Sequence, residues 1–192
     1  MYNNLAPEKL STSDFKSILN ASYMPQKKAA DYMNQRGFSY DPELSSMTQK
    51  VFVNKNSGQP VIAERGSTRV SDWGVEDLNI ATGGFFKTPR IKAAEQLSKK
   101  TEEKYGIAPT VTGHSLGGYL AEKGARKGSD VYTYNKAAGL PSIFTKRNEN
   151  QTDYRTTFDL PSAFSAYQGG GSSKTLAGSW NPILSHNIKY LK

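Results

Sequence analysis

A serine lies between two glycines in the run Gly113-His114-Ser115-Leu116-Gly117, and its surroundings favour nucleophilic chemistry. The preceding residues, 108–112, have the composition of a short β-strand, and a helical pattern begins directly after the serine. So tight a turn would strain the serine backbone, and side chains on the two glycines would collide with the neighbouring strand and helix. The turn places the serine hydroxyl beside the positive N-terminus of the helix. The pattern therefore predicts a serine nucleophile, against the alternative of a structural tight turn.

A serine nucleophile requires a base, and the chain contains only two histidines. His114 lies inside the turn, where its side chain is expected to point away from Ser115 and into the packing below. The predicted base is therefore His186, near the C-terminus. The alternative is that His186 is a surface histidine near a chain end.

The acid that orients the base is expected at the carboxyl end of a strand, because catalytic groups gather there in open α/β sheets. The sequence YRTTF over 154–158 predicts such a strand, and Asp159 follows it directly. Asp130 and Asp153 precede their predicted strands and would lie at the wrong end. We therefore expect Asp159 to orient His186, with Asp153 as the alternative if the strand is shifted. The chain order serine, acid, histidine is the one expected for hydrolases with this type of turn.

A second motif lies upstream of the serine turn. The triplet Arg65-Gly66-Ser67 is followed by the pair Asp72-Trp73 and then by Asp77-Leu78. Together with the serine turn and a late histidine before a tyrosine, this order resembles the class 3 (fungal-type) triacylglycerol lipases of the α/β-hydrolase superfamily. The resemblance covers roughly residues 50–192. It implies an α/β-hydrolase-like fold with a mostly parallel sheet flanked by helices.

The resemblance also implies an oxyanion hole. Ser67 is similar to the family's oxyanion residue, and the backbone N–H of Leu116 would be the second donor. The remaining motif residues would hold that loop in place; they are Arg65, Asp72, Trp73 and Asp77. The implied reaction is acyl transfer through an acyl-enzyme, which requires neither a metal ion nor an organic cofactor.

Three features depart from the family pattern. Glu64 stands where an aromatic residue usually precedes the arginine-glycine pair, and a polar residue there is expected to alter the acyl pocket. The stretch from Leu78 to Thr88 is short, so we expect a reduced or absent lid despite Phe85 and Phe86. The glycine-rich run 169–173 could act as a mobile flap instead, or be an ordinary surface loop.

The remaining elements alternate between strand and helix, which favours a parallel sheet covered by helices. The patterns predict helices over 13–20, 25–35 and 88–105, a hairpin over 51–64 and a further strand over 131–135. The chain is expected to form a single domain, with a helical N-terminal extension over 1–49 and a lipase-like core over 50–192.

Composition restricts the classes of site and partner. The 192 residues carry 25 Lys and Arg against 17 Asp and Glu, a net charge of +8, and there is no cysteine. The lack of cysteine excludes disulfides, thiolate zinc sites and a cysteine nucleophile. The positive charge favours either peripheral contact with an anionic membrane or a merely solvated basic surface. Nucleic acid is disfavoured as a partner because no binding motif accompanies the charge. The cations concerned lie on two predicted helices and are Lys87, Arg90, Lys92, Lys99, Lys100, Lys104, Lys123, Arg126 and Lys127.

The sequence as a whole predicts a serine ester hydrolase that acts on lipid carboxylic esters, of the triacylglycerol lipase or phospholipase type. Another serine acyl hydrolase, such as a thioesterase or peptidase, is an open alternative, and so is a catalytically silent structural component that kept the fold. No secretory signal or membrane-spanning stretch is visible. We therefore expect a cytoplasmic or otherwise intracellular protein, or one packaged in a larger particle.

Overall fold

One mixed sheet of seven strands organises the computed structural model, which describes residues 9–67 and 89–192. The strands lie side by side in chain order and are β1 (Phe38–Asp41), β2 (Gln49–Asn54), β3 (Pro60–Glu64), β4 (Thr110–His114), β5 (Val131–Tyr134), β6 (Gln151–Thr156) and β7 (Ser172–Leu176). The first three strands pair antiparallel, and β3 to β7 pair parallel. The expected mostly parallel sheet is therefore confirmed.

Helices cover both faces of this sheet. They are α1 (Thr12–Ser22), α2 (Gln26–Asn34), α3 (Pro89–Tyr105), α4 (Leu116–Gly124) and the short α5 (Pro182–Ser185). The first helix begins at Ser11, whose side-chain oxygen accepts a hydrogen bond from the backbone N–H of Asp14. This cap and the helical spacing of its buried residues explain why the N-terminal segment folds as predicted from its sequence.

Alternation along β3 divides the core into two layers, because successive strand residues point to opposite faces of a sheet. Val61 packs with Ile18 of α1 on one face. Ile62 packs with Leu97 of α3 and Ala121 of α4 on the other. The N-terminal helix thus packs, together with α2, on the face of the sheet opposite α3 and α4.

The strands differ from prediction at both edges of the sheet and in β6. β6 begins at Gln151, so Asp153 lies inside this strand rather than before it. The pattern missed β1 altogether. β7 begins at Ser172, so the second half of the run 169–173 is an edge strand. A Cβ on Gly171 would lie 2.7 Å from the backbone oxygen of Gln151, which shows how closely this run packs against β6.

Part of the predicted second motif falls outside the described residues. These positions are Asp72, Trp73, Asp77 and the short stretch 78–88 in which a lid was discussed. Across the two described ranges, no helix combines the length and the apolar character needed to cross a bilayer.

Candidate active site

Each of three neighbouring parallel strands is followed, within two residues, by a non-glycine residue in a strained backbone conformation with a positive φ. Ser115 follows β4 with a φ of 56°, Asn135 follows β5 with 43°, and Phe158 lies just beyond β6 with 64°. No other non-glycine residue in the described ranges has a positive φ. Such strain collects at functional sites, where the surrounding structure must hold it in place. The carboxyl edge of β4 to β6 is therefore the candidate site.

Ser115 occupies a tight turn between β4 and α4. A Cβ on Gly113 would overlap the backbone of Gly117, and a Cβ on Gly117 would overlap the backbone of Glu64. Both positions therefore require glycine for the reason that the sequence suggested. Ser115 is partly exposed, whereas its two neighbours in sequence are buried. The turn thus presents the serine side chain at the protein surface.

The predicted base and the predicted acid lie in contact. Nδ1 of His186 is 2.6 Å from Oδ1 of Asp159, and both side chains are buried. The other carboxylate oxygen of Asp159 accepts a hydrogen bond of 3.1 Å from the backbone N–H of Ser162. Because a carboxylate only accepts, Nδ1 carries the proton in this contact, and Nε2 is the nitrogen of the neutral His186 ring that can accept one.

Three successive backbone carbonyls hold the segment that carries His186. The carbonyls of residues 185–187 accept, in that order, from Thr156 Oγ1, His114 Nε2 and the hydroxyl of Tyr134. The three distances are 2.7, 2.9 and 3.1 Å. The donors belong to β6, β4 and β5, so every strand that ends at the site fixes one residue of this segment. The predicted base is therefore positioned through its backbone as well as through its ring.

His114 contacts His186 in a second way that the sequence did not indicate. The two imidazole rings pack with their centroids 4.6 Å apart. Nδ1 of His114 lies 2.8 Å from the hydroxyl of Tyr23, at the C-terminal end of α1. Burial, and after it the electrostatic interaction with the His186 imidazole, holds the pKa of His114 well below its usual value, so the His114 ring is neutral. The side chain is buried in the packing below the turn, as expected, but it also supports the predicted base.

The loop that carries Ser67 adjoins the serine turn. A Cβ on Gly66 would lie 3.3 Å from Cβ of Ser115 and 2.6 Å from the backbone oxygen of His114, so only glycine allows this approach. Ser67 follows directly and is partly exposed. Leu116 is the first residue of α4, where a backbone N–H finds no acceptor within its own helix. Both predicted oxyanion donors therefore belong to backbone that adjoins Ser115.

Asp153, the alternative acid, belongs to a buried ion cluster. Its Oδ2 lies 2.8 Å from Nζ of Lys136 and 2.6 Å from Nε of Arg147. Lys136 also pairs with Glu122 at 2.5 Å. Burial by itself raises the pKa of Asp153, but the charge of Lys136 and the hydrogen bonds that the carboxylate accepts together outweigh burial, so the pKa lies below its ordinary value. These contacts give Asp153 a structural role in holding β6 against the segments that contain Lys136 and Arg147.

Glu64 is buried at the end of β3. Its Oε1 accepts a hydrogen bond of 2.9 Å from Gln49, while Oε2 is buried with no hydrogen-bond partner in the part of the chain that the structure describes. Burial raises the pKa of this carboxyl group to about 7. The side chain thus faces the protein interior, and any influence on an acyl pocket would pass through the backbone of the neighbouring turn.

The predicted basic cluster on α3 and α4 is partly neutralised by acids. Lys104 pairs with Asp41 at 2.8 Å and with Glu43 at 2.7 Å. Arg126 pairs with Glu102 at 2.7 Å. These helices cover a face of the sheet, whereas the candidate site lies at its carboxyl edge.

Exposed apolar side chains concentrate in three loops around the site, which we call the rim loops (137–145, 157–171 and 177–188). These side chains are Leu140, Phe144, Phe158, Leu160, Phe164, Tyr167, Trp180 and Leu184. The rings of Phe158 and Trp180 are in contact, with centroids 4.5 Å apart. The rim loops contain no Lys, Arg, Asp or Glu apart from the buried Asp159. The site therefore borders an uncharged and partly aromatic surface.

Comparison with known proteins relates this architecture to lipases. Residues 19–176 match the sequence model of a phospholipase-like family, described as the Tle-like phospholipase domain. No curated protein sequence matches the chain. Lip2 lipase from Yarrowia lipolytica is similar in structure, with a TM-score of 0.50 and 13% identity, over 91% of this chain and 82% of that one. A "predicted CIB-like hydrolase" from Thermoplasma acidophilum covers 73% of this chain and 86% of its own, with a TM-score of 0.45 and 16% identity. The fold is that of the α/β-hydrolases.

Proposed function

The chain belongs to the Tle-like phospholipase domain family, and from this premise we propose that it is a serine hydrolase that cleaves carboxylic esters of lipids. The observation that carries the proposal is the contact between His186 and Asp159 at the sheet edge where Ser115 occupies a strained turn. A buried histidine–carboxylate pair and a strained serine at the same edge of the sheet are the groups that nucleophilic acyl transfer uses.

Ser115 is the nucleophile in the proposed mechanism, and His186 is its base. Nε2 of His186 takes the proton from Oγ of Ser115 while this oxygen forms a bond to the ester carbonyl carbon. Asp159 keeps Nδ1 of the histidine protonated and stabilises the imidazolium. The negative charge on the former carbonyl oxygen is stabilised by the backbone N–H of Leu116 and by Ser67.

The remaining steps return the enzyme to its starting state. The bond to the leaving alcohol breaks, and His186 gives its proton to the departing oxygen, which leaves the acyl group on Ser115. A water molecule then attacks the acyl carbon and passes its proton to His186. The Ser115 oxygen departs from this carbon and recovers the proton, so that one ester and one water give one alcohol and one acid.

The finer assignment to the class 3 (fungal-type) lipases belongs to the same proposal. It is supported by Arg65-Gly66-Ser67, because Gly66 packs directly against the serine turn and so brings the triplet to the nucleophile. Arg65 also accepts a hydrogen bond at its backbone oxygen from Arg90 of α3, which anchors the loop. In this assignment Ser67 has the role that the family's oxyanion residue has.

The rim loops are the proposed contact with a lipid surface. Aromatic side chains such as Trp180 and Phe144 are favoured at membrane interfaces, where an apolar ring enters the boundary region at little cost. The absence of exposed charge in these loops removes the desolvation penalty that would oppose this contact. The proposed contact therefore lies at the site itself and not on the basic helices.

Labelling by a fluorophosphonate and hydrolysis of short-chain p-nitrophenyl esters test the proposed function. Wild-type protein is expected to react in both assays, and Ser115→Ala to lose about 10⁴-fold or more of its activity. Ser129→Ala is a matched control, because Ser129 is buried in the turn before β5, at the opposite end of the sheet. A wild-type protein that is neither labelled nor active would contradict the proposal.

A panel of lipid substrates tests the substrate class. Release of fatty acid from phospholipid vesicles is expected to exceed release from triacylglycerol emulsions, in line with the family. Hydrolysis confined to thioesters or peptides would retain the serine mechanism and reject the lipid substrate.

A further inference from the structure

The hydroxyl of Tyr23 lies at the centre of a hydrogen-bond chain whose direction the chemistry determines. The backbone oxygen of His186 can only accept, so Nε2 of His114, which lies 2.9 Å away, carries a proton. His114 is neutral because burial holds its pKa well below the usual value, so its Nδ1 is an acceptor. The Tyr23 hydroxyl, 2.8 Å from Nδ1, is therefore the donor.

The oxygen of Tyr23 also adjoins the loop that carries Ser67. A Cβ on Gly66 would lie 2.6 Å from this oxygen, so the hydroxyl fills the space beside the glycine. Burial raises the pKa of Tyr23 to about 12, although a backbone hydrogen bond with Gly66 and the charges of Arg65 and Arg90 act in the opposite direction. The phenol is therefore protonated at neutral pH and able to donate.

We infer that Tyr23 is a positioning residue whose single hydroxyl group fixes the oxyanion loop and the catalytic base relative to each other. It contacts the loop at Gly66, and it acts on His186 through His114. The inference rests on the proposed function and extends it to α1, a helix that precedes all the motifs of the chemistry. Neither Tyr23 nor His114 touches the reacting atoms in this assignment.

Loss of the hydroxyl should loosen both parts of the site. In Tyr23→Phe, the ring remains, while Nδ1 of His114 is left buried without its donor and the Gly66 loop loses a contact. A displacement of about 1 Å in a catalytic group can lower the rate on the order of 100-fold, whereas substrate binding outside the reacting centre is untouched. The structure thus predicts a defect in kcat rather than in KM.

The experiment measures kcat and KM of Tyr23→Phe on a soluble short-chain ester. The expected result is a fall in kcat on the order of 10- to 100-fold with KM within about twofold of wild type. Tyr40→Phe is the matched control, because the Tyr40 hydroxyl is buried with no hydrogen-bond partner within the described ranges. Tyr40→Phe should keep the wild-type kcat.

A nitrogen NMR measurement tests the chain of hydrogen bonds without using activity. The protein has only two histidines, so His186→Ala leaves His114 as the sole imidazole signal. We expect His114 in the tautomer with a proton on Nε2, with its Nδ1 resonance shifted by the hydrogen bond from Tyr23. Adding Tyr23→Phe should move that resonance toward the value of an imidazole nitrogen that accepts no hydrogen bond.

The outcomes separate this inference from the proposed function. If a fluorophosphonate does not label wild-type Ser115, the proposed function fails. If labelling succeeds but Tyr23→Phe reacts at the wild-type rate, the positioning role alone is wrong. A His114 tautomer with its proton on Nδ1, or a resonance that Tyr23→Phe does not move, would also overturn it.

Discussion

Asp153 and Asp159 are buried aspartates close together in sequence, and their partners assign them different roles. We expect Asp159→Asn to lower kcat on a soluble ester on the order of 10⁴-fold, because His186 loses the carboxylate that orients it. We expect Asp153→Asn to lower the free energy of unfolding by about 3 kcal/mol or more, because Lys136 and Arg147 lose a buried partner. Steady-state kinetics and urea denaturation of both variants measure the two effects.

The two variants also serve as controls for one another. Asp153→Asn should keep most of kcat in its folded fraction, and Asp159→Asn should unfold at a urea concentration closer to that of wild type. If Asp153→Asn were inactive but stable and Asp159→Asn were active, the two assignments would have to be exchanged.

Residue types alone predicted the groups that we propose for the chemistry and missed those that support them in the structure. Ser115 was predictable because its turn is encoded by adjacent glycines, and His186 because the chain has one other histidine. Tyr23 is one of eleven tyrosines, and nothing near it in sequence marks it. Its relation to His114 depends on the packing of α1 against the sheet, which no local pattern records.

At the scale of single elements, β3 ends in a buried carboxyl group, so the stability of the sheet should depend on pH. Burial raises the pKa of Glu64 to about 7 from an ordinary value of 4.5. The folded state favours the protonated form, so this contribution to stability is complete below pH 4.5 and is lost as pH rises through about 7. We expect Glu64→Gln to remove this loss, which amounts to about 3 kcal/mol in the free energy of unfolding.

Urea denaturation at about pH 4 and about pH 8 measures this difference. Glu149 is exposed, so Glu149→Gln is the matched control and should leave the pH dependence of wild type unchanged. Identical pH dependence in wild type and Glu64→Gln would show that the carboxyl group is not neutral in the folded protein.

The elements that sequence patterns predicted are those whose stability is local. The hairpin of β2 and β3, the long α3 and the junction of β4 with α4 all carry their own turn or periodicity. The sequence predicts a start for β6 that is three residues too late, because a charged residue such as Asp153 is unusual inside a strand. Here Lys136 and Arg147, from outside β6, compensate that charge. β7 is an exposed strand that exists through its pairing with β6, which its polar sequence does not reveal.

At the scale of the whole molecule, charge and apolar surface are separated. The chain carries a net charge of +8, but the rim loops around the site have no exposed Lys, Arg, Asp or Glu. Strands β4 to β6 bring these loops together at one edge of the sheet, while the cations of α3 and α4 cover a face. A lipid surface that met this edge would lie directly over Ser115 and against aromatic side chains.

Binding to phospholipid vesicles tests this arrangement. Phe144 and Trp180 are 83% and 84% exposed, so replacing both by serine should weaken binding on the order of 10- to 100-fold, at about 1 kcal/mol for each side chain. Met47→Ser with Ile107→Ser is the control, because these exposed apolar residues lie outside the rim loops. Cosedimentation with vesicles at low and high salt measures the effect, and apolar contact should persist at high salt. If high salt abolished binding and the changes at Phe144 and Trp180 did not weaken it, the contact would be assigned to the basic helices instead.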